Sequence, residues 1–131
     1  MINCNLTSTP IATGTKLSKH EKGSSVDPTM FKRLVGSLMY MTATRPDIMY
    51  GVSLISRFME SPQNSHWQVG KRILRYVAGT IGYGILYSKA NNSCLIGYTD
   101  SDFAGNIDDR KSTSRYIFHF GSRAVSWASK K

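Results

Sequence analysis

The chain has 131 residues, 40% of them apolar and 19% charged, with five Phe, seven Tyr and two Trp; this excludes a wholly disordered or collagen-like chain and suits one domain rather than two. Seventeen Lys and Arg against eight Asp and Glu give a net charge of +9 and a pI near 9.8, which attracts polyanions such as nucleic acid or anionic lipid without choosing between them. No run of about 18 apolar residues is present, so no transmembrane segment is expected.

The start, MINCNLTSTPIATGTKLSK, lacks the basic opening and long apolar stretch of a signal peptide. Residues 1–26 are rich in Ser, Thr, Gly and Lys and read as an extended, flexible leader. Asp27-Pro28 then supplies a helix cap and a first-turn proline, and Phe31, Leu34, Val35 and Leu38 follow at helical spacing. Thr44-Arg45-Pro46-Asp47 fits a capping box for a second helix carrying Ile48, Val52, Ile55 and Met59, which Ser61-Pro62 ends. A third helix is expected over residues 65–78, with Trp67, Ile73, Leu74 and Val77 inward and Gly79 as a left-handed stop. Its other face carries the basic patch Lys71, Arg72 and Arg75, and residues 61–90 hold four basic residues and no acid. After Gly79 the pattern changes: residues 83–87, 94–100, 115–120 and 124–128 are short, aromatic or β-branched, and separated by turn formers, as strands are. These strands have little following them that would cover a second sheet face.

Cys4 and Cys94 are far apart and lack metal-ligand spacing, so neither a disulfide nor a zinc site is expected. His20, His66 and His119 are equally scattered, and no cofactor or metal is expected. Trp67 and Trp127, with the aromatic strands, suit core packing better than base stacking. Asn5-Leu6-Thr7 and Asn91-Asn92-Ser93 fit the glycosylation acceptor pattern, which matters only in a secreted chain.

The blocks LVGSLMYMTATRPDIMYGVSLISRFMESP, HWQVGKRILRYVAGT, GYGILYS, LIGYTDSDFAGNIDDRKSTSRYIF and AVSWASKK, in this order, resemble the Pol polyprotein of copia-type LTR retrotransposons over essentially the whole chain. The resemblance implies the tail of a reverse transcriptase (residues 27–88, helical) followed by the first strands of an RNase H domain (residues 93–131). The implied fold is α+β, with about three N-terminal helices and then an incomplete antiparallel RNase H-like sheet of three or four strands. RNase H chemistry needs several carboxylates around two divalent ions. The resemblance places the first of them at Asp100, in YTD, with Asp102, Asp108 and Asp109 nearby. The polymerase signature Tyr-x-Asp-Asp does not occur. A catalytically incomplete, non-enzymatic segment is therefore expected. Arg115, Asn106 and Arg123 depart from the family's STSGY, AGD and LGSGA-type patterns, and Arg at a glycine position of positive φ implies relaxed constraint.

Arg72-Ile73-Leu74-Arg75 also resembles the Arg-x-Leu-Arg translocation motif of oomycete RxLR effectors. That resemblance implies the alternative of a secreted, non-enzymatic virulence protein that enters plant cells and meets a host protein or anionic lipid. For the retroelement reading, the partner expected at the basic face is nucleic acid and the location intracellular.

Overall fold

A computed structural model describes residues 4–20, 23–87 and 94–131. Three helices, α1 (Pro28–Met41), α2 (Met49–Ile55) and α3 (Asn64–Gly79), precede three strands, β1 (Leu95–Ser101), β2 (Ser114–Phe120) and β3 (Arg123–Lys130). The strands form one antiparallel sheet in the order β1-β2-β3, so the fold is α+β.

The start of α1 follows from its sequence: the Asp27 carboxylate accepts the Thr29 amide at 2.9 Å, and Pro28 occupies the first turn, where no amide is needed. Phe31, Val35 and Leu38 recur at helical spacing and are fully buried. They meet Val52, Ile55, Phe58 and Ile73 in one core between the helices.

The second helix departs from expectation. A 3-10 turn at Pro46–Ile48, the seven-residue α2 and a second 3-10 turn at Ser56–Phe58 replace one continuous helix. No side chain caps the first turn, and the Thr44 hydroxyl instead donates to the Met41 carbonyl at 3.4 Å. The Asp47 carboxylate is held by strong side-chain donors in place of a capping bond. Arg45 reaches it at 2.7 Å and the Tyr76 hydroxyl at 2.8 Å.

In α3, Gly79 is the last helical residue rather than a left-handed stop, since the positive-φ glycines among the described residues are Gly14 and Gly121. Thr80 ends the helix, its hydroxyl donating to the Tyr76 carbonyl at 2.8 Å. The buried face is His66, Gly70, Ile73 and Tyr76, while Trp67, Leu74 and Val77 sit at its margins.

Residues 83–87 form no strand. Among the described residues β1 pairs with β2 and has no strand on its other side; residues 83–87 join no ladder and leave Tyr83, Leu86 and Tyr87 exposed, with the Tyr87 hydroxyl donating to the Ala124 carbonyl at 2.8 Å. The leader segment is irregular but lies against the body. Leu17 enters the core, the Asn64 amide donates to the Ser24 carbonyl at 3.0 Å and the Val26 amide to the Pro62 carbonyl at 3.0 Å.

Register gives the sheet two unlike faces. Asp100 lies opposite Arg115 and Tyr98 opposite Ile117 on β1 and β2, and Ile117 lies opposite Trp127 on β3. This face meets the helices: Trp127 Nε1 donates to the Thr42 carbonyl at 2.8 Å, and the Ser53 hydroxyl donates to the Ser129 carbonyl at 2.9 Å. The opposite face, with Tyr116, Phe118 and Phe120, is open to solvent.

Candidate functional site

Two regions hold the residues singled out from the sequence: the acids at and after the end of β1, and the basic face of α3. The strand-end acids are each engaged separately. Asp100 Oδ2 lies 2.7 Å from Arg115 Nη2, and that guanidinium also sits 4.9 Å from the centre of the Tyr50 ring. Asp102 accepts the Thr113 amide at 2.6 Å and so closes the loop between β1 and β2. Asp108 accepts from the Ser18 hydroxyl and from the Lys19 amide at 3.0 Å. These two bonds hold its carboxyl below the usual carboxylate range. Asp109 pairs with Lys131 at 2.6 Å, which depresses its carboxyl in the same way.

Among the described residues, no group of three or more His, Cys, Asp or Glu side chains converges where it could hold a metal ion. The histidines are apart as well. His66 is fully buried, stacked 3.9 Å from Phe58. Its Nδ1 accepts the Gln63 amide at 2.9 Å, and its Nε2 lies 3.2 Å from the Ser18 carbonyl. His119 meets Tyr98 edge-on at 5.8 Å, and His20 is exposed. Cys4 and Cys94 are both free thiols.

The departures from the family pattern find local explanations. Among the described residues, the positive-φ residues other than glycine are Ala104 and Arg110; Arg115 and Arg123 lie in strands, so neither is strained and relaxed constraint does not follow at these positions. Asn106 is buried, and its side-chain oxygen accepts the amides of Asp108 at 2.8 Å and Asp109 at 3.3 Å. That bond pattern builds the tight turn leading to Arg110.

A groove of about 260 Å³ runs between the start of α2 and the sheet, lined by Tyr50, Tyr98, Asp100, Arg115 and Trp127. Trp127 thus packs in the seam between the two halves. Trp67 packs against Phe31, their ring centres 6.5 Å apart, and carries Lys71 Nζ 5.6 Å above its ring.

The basic face of α3 is only partly open. Lys71 is exposed, but Arg72 and Arg75 are half-buried. Arg72 donates to the Thr9 hydroxyl at 2.9 Å, and its carbonyl accepts from the Thr7 hydroxyl at 3.4 Å. Ile73 is fully buried and Leu74 packs against the core. The Arg-x-Leu-Arg tetrapeptide therefore belongs to a core-forming helix, with the leader lying along it. Of the two glycosylation-type triplets, Asn5 is exposed, whereas Asn91-Asn92-Ser93 lies outside the described residues.

A cluster without a local sequence signal joins the turn before α2 to the end of α3. Arg45 is buried and donates to Asp47 at 2.7 Å, to the Thr80 carbonyl at 3.2 Å and to the Thr80 hydroxyl at 2.7 Å. The hydrogen bond to Asp47 raises the Arg45 pKa further, against the opposing effect of burial. Burial pushes Asp47 up, but the bonds from Arg45 and Tyr76 outweigh it and its pKa is lowered. Burial, then the neighbouring Asp47, raise Tyr76. The sequence separation of 35 residues between Arg45 and Thr80 leaves no local pattern by which to find it.

No protein-family model and no solved structure matches the chain. Among curated proteins, it is 44% identical over 131 residues to the retrovirus-related Pol polyprotein from transposon RE2 of Arabidopsis thaliana, covering all of this chain and 9% of that protein. It is 45% identical over 138 residues to the corresponding polyprotein from transposon TNT 1-94 of Nicotiana tabacum, covering 99% of this chain and 10% of that protein. It is also 45% identical over 98 residues to the secreted RxLR effector protein 161 of Plasmopara viticola, covering 74% of this chain and 69% of that protein. The chain spans about a tenth of the length of the polyproteins it matches. With identity of this level along its whole length, the chain belongs to the family of copia-type retrotransposon Pol polyproteins.

Proposed function

We propose that the chain is a Pol-derived segment comprising the end of a reverse transcriptase and the start of an RNase H domain, catalytically incomplete and non-enzymatic by itself. The observation that carries this reading is the state of Asp100, whose carboxylate is paired with Arg115. Asp102, Asp108 and Asp109 are each committed to other partners. Two divalent ions require several carboxylates converging on a fixed point, and these four diverge. The basic face of α3, through Lys71, Arg72 and Arg75, is the expected contact for a nucleic-acid backbone, with a steep salt dependence. Incubation of the chain with an RNA–DNA hybrid and magnesium tests the reading. No cleavage is expected, and cleavage that disappears in Asp100→Asn overturns it.

A second reading has one specific observation behind it, the similarity to the secreted RxLR effector protein 161. In that reading the chain is an RxLR-type effector that enters plant cells through Arg72 to Arg75 and alters immunity or cell death by contact with a host protein or anionic lipid. Replacing Arg72 and Arg75 with Ala should block uptake; unchanged uptake removes the warrant.

A further inference from the structure

Two hydroxyl residues of the chain stand directly before a proline, in Thr9-Pro10 and Ser61-Pro62, the dipeptide that proline-directed serine/threonine kinases accept. Their surroundings separate them. Ser61 is exposed, but Pro62 is fully buried and its carbonyl accepts the Val26 amide at 3.0 Å. That dipeptide enters a kinase cleft only if the core opens. Thr9 is exposed and Pro10 only partly buried, in a stretch that is neither helix nor strand. Leu6 rests on Gly79 to one side of it and Ile11 on Gly51 to the other. Leu6 is itself 62% exposed, so little packing has to open for this stretch to lift.

What lies beneath Thr9 is a second, independent observation. Arg72 Nη2 donates to Thr9 Oγ1 at 2.9 Å, while Arg72 Nε is buried and has no hydrogen-bond partner among the described residues. In a guanidinium the Nε and Nη2 hydrogens lie parallel, as a fork that takes two oxygens of one phosphate. The Thr9 hydroxyl offers that fork a single oxygen and leaves half of it unused. A phosphate on the same hydroxyl brings three strong acceptors to the same place. The surrounding charge favours it as well, since residues 61–90 hold four basic residues and no acid.

We propose that Thr9 is a phosphorylation site whose phosphate is gripped by Arg72 and clamps the leader onto α3. In the step, Thr9 Oγ1 bonds to the γ-phosphorus of ATP and the bond from that phosphorus to the β,γ-bridging oxygen breaks. ADP leaves, and the hydroxyl proton passes to the catalytic base of the kinase. The modified chain holds Arg72 in an internal ion pair and so withdraws it from any outside anion. The site does not depend on whether the chain is a Pol segment or an effector.

The test treats the full chain with a proline-directed kinase and magnesium ATP and maps the product by mass spectrometry. One phosphate on Thr9 is expected, absent in Thr9→Val and in Pro10→Ala, with Ser61 unmodified. Phosphorus NMR then reads the clamp: the second ionisation of the phosphate should fall to about 5 from its usual value of about 6, and return there in Arg72→Gln. Arg72→Lys keeps the charge without the fork and should restore only part of the fall, which holds the proposal testable should Arg72→Gln misfold. No phosphate on Thr9, or phosphate on Ser61 in its place, would overturn the proposal. An ionisation that is the same with and without Arg72 would overturn it too.

Discussion

Arg115 and Asp100 stand directly opposite each other on β2 and β1, joined at 2.7 Å, and the same guanidinium rests on the Tyr50 ring of α2. One side chain thus ties the first strand to the helical half and places a fixed positive charge on the strand-end carboxylate. Both partners are substantially exposed, so the ion pair contributes under about 1 kcal/mol. Asp100→Asn should lower stability by less than about 1 kcal/mol, and Arg115→Ala by about 1–2 kcal/mol because the contact with Tyr50 is lost as well. Urea unfolding checks both values, and equal losses would show that the aromatic contact contributes nothing.

The Arg45–Asp47–Tyr76–Thr80 cluster should make stability depend on pH at both ends. Asp47 has its pKa lowered in the fold, so its contribution is present above about pH 4 and is lost as pH falls through the folded value. Tyr76 has its pKa raised, so its contribution is present below about pH 10 and is lost as pH rises through the folded value. Asp47→Asn should flatten part of the acid limb of a stability–pH curve, and Tyr76→Phe the alkaline limb. Asp108 and Asp109, also lowered, keep a residual acid slope. Tyr76→Phe should cost about 1–2 kcal/mol at neutral pH, and a neutral result would remove Tyr76 from the cluster's energetics.

Within the tetrapeptide of α3, stability and surface chemistry separate by residue. Ile73 is fully buried, and Ile73→Ala should cost about 2–5 kcal/mol. Arg72→Ala loses one hydrogen bond to Thr9 and should cost about 1 kcal/mol or less. Thermal unfolding of the two variants gives the comparison. A large loss for Arg72→Ala would mean that uptake or nucleic-acid assays on that variant report folding rather than recognition.

His66 fastens the leader to α3. Its Nδ1 accepts the Gln63 amide, so the proton resides on Nε2, which donates to the Ser18 carbonyl. His66→Ala should cost about 2–4 kcal/mol, combining lost packing on Phe58 with two lost hydrogen bonds. The same variant should speed hydrogen exchange at the Lys19 and His20 amides, which are bonded to Asp108 and Ser18. Unchanged exchange there would show that Leu17 in the core and the bonds to Asp108 hold the segment without His66.

Much of the fold was legible in short-range pattern. Asp27-Pro28 marked the start of α1, and the three strands fell within two residues of their expected ends. What was not legible depended on distant partners. Asp47 has the spacing of a capping residue, and only the arrival of Arg45 and Tyr76 diverts it. Residues 83–87 have strand composition, but a strand needs a ladder partner, and among the described residues the segment touches β3 only through the Tyr87 hydroxyl on the Ala124 carbonyl. The burial of Tyr76 and His66 has no local signal, because polar-tipped rings on a basic helix look like surface residues until the leader and Asp47 supply their partners. At the candidate site, the pattern places Asp100 near the end of a strand, and β1 runs to Ser101. Its pairing with Arg115 was not foreseen, since it needs the register of β1 on β2.

The proposal that the acids around Asp100 hold no divalent ion rests on their separate partners. Titration with manganese, followed by paramagnetic broadening of backbone amide signals, tests it most directly. Weak broadening spread over the exposed carboxylates, with no focus at the end of β1, is expected. Saturable broadening centred on Asp100 and Asp102, removed by Asp100→Asn, would contradict it.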